Sequence, residues 1–109
     1  MATAYKVLAQ SNPSATTATT LYTVPSSTSA VVSTITVCNQ AASAGTYRIA
    51  VRPAGATLAA QHYVAYDVAI AANDTTALTL GITLATTDVV TVYASSATMS
   101  FSAFGSELS

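Results

Sequence analysis

Between Thr46 and Arg52 the chain alternates strictly: Tyr47, Ile49 and Val51 fall on one side, and Arg48, Ala50 and Arg52 on the other. Successive side chains leave a pleated backbone on opposite sides, so a two-residue period marks a strand with one buried and one outward face. The same period recurs along most of the chain. His62–Ile70 sets Val64, Tyr66, Val68 and Ile70 against Tyr63, Ala65, Asp67 and Ala69. Ala30–Asn39 sets Val31, Ile35 and Val37 against Val32, Thr34, Thr36 and Cys38. Leu78, Leu80 and Ile82 form a further set, with Gly81 marking a bulge or close approach. Val90 and Val92, then Met99, Phe101 and Ala103, supply the last inward sets.

Turn signals separate these runs. They fall at Ser11–Ser14, Pro25–Ser27, Asn39–Gly45, Pro53–Gly55, Asn73-Asp74, Thr86–Asp88 and Ser95-Ser96. Short strands near Tyr5–Ala9 and Leu21–Val24 bring the number to about eight, at the spacing of a sandwich or barrel. Only Thr57–Gln61 offers a helical turn. The expectation is a single all-β domain over residues 1–109, an antiparallel β-sandwich with jelly-roll or immunoglobulin-like connections.

Composition narrows the function. Charged residues are 6% of the chain, against about 25% in an ordinary soluble domain. A net charge of −1 argues against a nucleic-acid partner or an acidic lipid surface. No run approaches the length of an apolar membrane helix, so no membrane partner is expected. The opening Met-Ala-Thr-Ala-Tyr-Lys lacks the layout of a signal peptide, so no secretory route is expected. A surface of Thr, Ser and Ala with so few charges has weak electrostatic protection against self-association, and we expect it to be covered in an assembly.

Catalytic and metal-ligating groups are sparse. His62 and Asp67 are separated by an odd number of residues on one strand, which sends them to opposite faces of a regular sheet. Cys38 has no basic sequence neighbour to activate it and is expected to be a small buried residue. One Cys and one His fall short of a closed tetrahedral metal site, and the glycines form no phosphate-binding motif. No catalytic, cofactor-binding or metal-binding residue is therefore expected, and no cofactor; the chain reads as a non-enzyme. The candidates for contact with a partner are Arg48 and Arg52, which share the outer face of one strand, with Tyr63 and Tyr93, which fall opposite the inward sets. Asp67 is the expected partner of the arginines if the two strands are neighbours. Tyr47 and Tyr66 are expected in the core. Phe104, out of phase with Met99 and Phe101, is expected to meet a neighbouring subunit.

Leu21-Tyr22-Thr23-Val24-Pro25, Ser29–Ile35, Tyr47–Ala56, His62-Tyr63, Ala71–Thr75 and Phe104–Glu107 together resemble a family of small virion structural proteins of tailed bacteriophages, cyanobacterial and marine phages among them. The resemblance covers nearly the whole chain and carries no catalytic or ligand motif. It implies a β-sandwich made in the host cytoplasm and assembled on the particle. The expected role is a capsid decoration (cement) subunit, with a tail, collar or fibre accessory binding host-surface glycan as the alternative. The partners it implies are copies of the same chain, often as a trimer, and the major capsid protein or tail proteins.

Overall fold

The computed structural model describes residues 2–109. Eight strands account for nearly all of the regular structure: β1 (Thr3–Ser11), β2 (Thr19–Thr23), β3 (Ser29–Asn39), β4 (Gly45–Arg52), β5 (Tyr63–Ile70), β6 (Thr75–Leu84), β7 (Val89–Ala94) and β8 (Met99–Leu108). They form two four-stranded antiparallel sheets, ordered β1-β8-β3-β6 and β2-β7-β4-β5. Of the connections between consecutive strands, only β4–β5 stays within a sheet; every other one crosses the sandwich. This is the jelly-roll order, which settles the choice against immunoglobulin-like connections. The expected helical turn lies slightly later, as a short 3-10 turn at Ala60–His62, with another at Pro53–Gly55.

The inward faces of the two sheets supply one core. Ile35, Val37, Met99, Phe101 and Ala103 come from the first sheet, and Tyr47, Ile49, Ile70, Val90 and Val92 from the second. Tyr47 and Phe101 meet edge to face, with centroids 6.3 Å apart. At one end of the sandwich the buried Asn39 side chain binds three loops. Its amide nitrogen donates to the Ser43 and Ala71 carbonyls, at 3.0 and 3.1 Å, while its oxygen accepts from the Ala41 amide and the Thr98 hydroxyl.

Alternation fails where strands bulge. In the first sheet Leu8 of β1 and Ser33 of β3 are each an extra residue against β8, and Leu80-Gly81 of β6 adds one against β3. All three lie beside the row that joins Val7, Phe104, Thr34 and Thr79. An extra residue reverses the facing of its successors along the strand. Val32 therefore joins Ile35 and Val37 in the core while Val31 faces solvent, the reverse of the expectation. Leu80, expected inward, is exposed within the β6 bulge itself, beside Gly81 at φ 63, while Ile82 and Leu84 stay inward. Cys38, expected to be buried, is half-exposed on the outer face with Thr34 and Thr36.

Across this row β8 comes unusually close to β3 at Gly105. A Cβ there would strike the Val31 carbonyl and sit 3.1 Å from Val32 Cα. Gly105→Ala should therefore lower stability by about 3 kcal/mol or more, since backbone rather than a flexible side chain must yield. A urea midpoint within experimental error of wild type would contradict this account of the bulge row.

The two sheets are also tied at the β1 and β2 edge. The half-buried Glu107 carboxylate accepts the Tyr22 hydroxyl from the opposite sheet, and Lys6 Nζ approaches its other oxygen at 2.7 Å. Lys6 first, and Tyr22 second, hold Glu107 below the ordinary carboxylate range, while burial and then Glu107 push the Tyr22 phenol up. A carboxylate whose pKa falls on folding stabilises the fold above its unfolded value of about 4.3, and that contribution is lost as pH drops through the lowered value. Glu107→Gln should then cost about 1–2 kcal/mol at pH 7, with the difference from wild type closing as the solution is acidified. Equal spacing of the two stability curves at every pH would contradict it.

Candidate functional site

The outer face of the second sheet gathers the residues with the most specific side-chain chemistry. Arg48 of β4 stands opposite Tyr93 of β7 in register. On its other side β5 bulges: Ile49 pairs with Ala65 and Tyr47 with Val68, so Tyr66 and Asp67 together face the single residue Arg48. Asp67 takes up φ 48, a left-handed conformation that aspartate tolerates better than most side chains. Two adjacent residues thereby point the same way, and both reach the guanidinium.

The result is a closed set of contacts. Arg48 Nε donates to Asp67 Oδ1 at 2.6 Å and Nη2 to Oδ2 at 3.3 Å, in the forked arrangement that matches a carboxylate. The guanidinium carbon lies 4.3 Å from the Tyr66 ring centroid and 4.2 Å from that of Tyr93, within cation–π range of both. Asp67 holds the guanidinium pKa above its ordinary value, and Arg48 stays cationic throughout. Tyr63 and Tyr66 meet edge to face at 4.9 Å, with their planes 84° apart. Beside them the β4–β5 connection adds Leu58, Ala59 and Ala60, and the five residues line an open cleft of about 650 Å³.

All four residues expected to contact a partner lie on this outer surface, and Arg48, Tyr63 and Tyr93 join the cluster around Tyr66. Arg52 shares the face but is engaged elsewhere. Its Nε donates to Thr91 Oγ1 at 3.0 Å, and its Nη1 to the carbonyls of Gly55 and Ala56, holding the β4–β5 connection against the sheet. Asp88 anchors the same connection by accepting the Ala54 amide at 2.9 Å. Asp67 pairs with Arg48 as expected for neighbouring strands. Tyr66, expected in the core, is 57% exposed because of the bulge, and Val64 beside a second irregularity is exposed too. The available signal was Asp67 itself, a residue depleted from strand interiors.

The titratable groups are dispersed. His62 Nδ1 accepts the Ala59 amide at 3.0 Å and caps its own loop, and Asp74 accepts the Thr75 amide. Among the described residues no group of three or more His, Cys, Asp or Glu side chains converges as a metal site would require. Among the described residues no helix is long and apolar enough to cross a membrane. In comparisons with known proteins, no family model, no curated protein and no solved structure matches the chain.

The Arg48–Asp67 pair lies at the surface, so its charge attraction is weak, whereas the backbone at Asp67 is demanding. Asp67→Asn keeps a residue suited to the left-handed conformation and should change stability by less than about 1 kcal/mol. Asp67→Val forces a β-branched side chain into that conformation and should cost about 1–3 kcal/mol. Urea unfolding of the two variants tests the order, and a larger loss in the asparagine variant would contradict it.

Proposed function

We propose that the chain is a non-enzymatic structural protein of a phage virion. In this reading it is a capsid decoration subunit that packs against copies of itself and against the shell through the outer face of the β1-β8-β3-β6 sheet. The observation that carries the reading is the apolar character of that face. Tyr5 is 85% exposed, and Val7, Val31 and Leu108 are exposed with it. Half-buried Phe104 lies between Val7 and Thr34 in the row beside the bulges, and Tyr5, Val31 and Phe104 border a groove of about 400 Å³. Contiguous apolar surface of this kind commonly marks an interaction site.

A second copy of the chain is the occupant that the charge pattern favours. Edge strands ordinarily resist pairing with other chains through charges, prolines or shortness. Here β1 is a nine-residue edge strand without proline, and its single charged residue, Lys6, is engaged by Glu107. A neutral, apolar face meets a copy of itself without like-charge repulsion, and a β1 edge supplies unpaired backbone groups. The chemistry of the shell contact is the same, burial of neutral β surface, which resists disruption by salt. The few charged side chains of the strands and loops, each engaged in a loop or an ion pair, and His62, which caps its own loop, support a non-catalytic role.

Sedimentation velocity across a concentration series tests the assembly. The wild-type chain should sediment as a discrete oligomer, a trimer on the family resemblance. A Val7→Glu and Val31→Glu double variant should remain folded and associate roughly a hundredfold more weakly, because each introduced charge must be desolvated in the contact. A wild-type chain that stays monomeric, or an oligomer unaffected by both glutamates, would overturn the reading.

A further inference from the structure

We propose that the cleft lined by Leu58, Ala59, Ala60, Tyr63 and Tyr66 binds a neutral pyranose, presented as a free sugar or as the end of a glycan. The inference does not rest on the assembly reading, since the cleft lies on the other sheet from the apolar face.

Three features of the cleft select this chemistry. Its aromatic walls are nearly perpendicular, with Tyr63 and Tyr66 at 84°, and the remaining lining is aliphatic. A pyranose has an apolar C–H face, whose weakly positive hydrogens suit the negative face of a tyrosine ring, and hydroxyls around its edge. The nearest cation is already engaged: Arg48, beside Tyr66, is bound in a fork by Asp67, while Arg52 on the same face is turned to Thr91 and to the Gly55 and Ala56 carbonyls. An anionic ligand would have to compete with that carboxylate, and a cationic one with Arg48 itself. The Tyr63 and Tyr66 side chains carry phenols able to hydrogen-bond hydroxyls, and Asp67 next to Tyr66, its side chain 44% exposed, keeps acceptor capacity beyond its fork with Arg48.

The walls are also held before any ligand arrives. Arg48 sits 4.3 Å from the Tyr66 ring and is itself fixed by Asp67 and Tyr93. Arg52 fixes the connection that carries Leu58, Ala59 and Ala60 by binding the Gly55 and Ala56 carbonyls. A surface aromatic with this much support loses little freedom on binding, which is what a weak, repeated surface contact needs. Repetition of the site over an assembly would raise its effective affinity without any further contact.

Saturation-transfer NMR with the methyl glycosides of glucose, galactose, mannose and N-acetylglucosamine, and with sialic acid as the charged comparison, tests the site. Transfer to the C–H face of at least one neutral glycoside is expected at millimolar concentration. Tyr66→Ala and Tyr63→Ala should each weaken it about tenfold or more, and Tyr5→Ala on the other sheet should leave it unchanged. Circular dichroism checks that the variants fold. Binding that strengthens on an array of the same sugars identifies the glycan as the source, and equal binding identifies the free sugar. No transfer to any neutral glycoside, transfer to sialic acid alone, or transfer unaffected by Tyr66→Ala overturns the proposal. A change in oligomeric state on Tyr66→Ala also overturns it, because the cleft would then be a contact between copies.

Discussion

An extra residue in a strand reverses which side of the sheet its successors face, and both surfaces of interest in this protein depend on that reversal. In the first sheet the bulges at Leu8, Ser33 and Leu80-Gly81 lie beside one row, where β1 and β3 change phase while Ile82 and Leu84 of β6 stay inward with Leu78. Gly105 allows β3 and β8 to approach there, and Val31 is turned outward beside Tyr5 and Ser106. In the second sheet the irregularity in β5 sets Tyr66 and Asp67 against Arg48. Without it one of the two would face the core, and the arginine would lose either its carboxylate or one of its aromatic faces.

The core can accommodate these interruptions because it is assembled from short inward sets on every strand. Phe101, Tyr47, Ile35, Ile49, Val90 and Val92 are fully buried and come from four strands of the two sheets. Each such side chain contributes about 1.5–3 kcal/mol of transfer free energy, so no single strand's phase decides whether the domain folds. What the phase does decide is which apolar residues remain outside. The few charges are bound into local contacts: Lys6 to Glu107, Arg48 to Asp67, Arg52 to loop carbonyls, and Asp88 to loop amides. Much of the surface is consequently neutral, both in composition and through local pairing, which is the physical basis of the assembly reading.

Much of this was legible from the residues alone. Strict alternation in Thr46–Arg52 placed Tyr47, Ile49 and Arg48 correctly, and the spacing of turn signals gave the sandwich and its eight strands. Tyr93 and Phe104 fall on outer faces as their phase required. Cys38 faces outward with Thr34 and Thr36 as the alternation required and is only half-buried there; the errors of facing share one cause. Val31, Val32, Leu80 and Tyr66 each lie next to a bulge, and a two-residue period carries no marker of an inserted residue unless a glycine or a misplaced polar side chain reveals it. Gly81 was such a marker; Asp67 was another whose meaning was missed. The jelly-roll order depends on which distant strands pair, which alternation along one strand does not encode. Asn39 and the Tyr22–Glu107 contact likewise join segments far apart in sequence, and nothing local distinguishes them.

The central claim, that this neutral jelly roll is a structural part of a virion, is tested most directly by counting it. On the proposed reading the gene belongs to a phage, and quantitative mass spectrometry of that phage's purified particles would give the chain's copy number relative to the major capsid protein. The account predicts near parity or a simple fraction, the ratio of a subunit that decorates the shell lattice. Absence of the chain from purified particles would contradict the virion role outright, and a count far below the shell's would contradict its place as decoration.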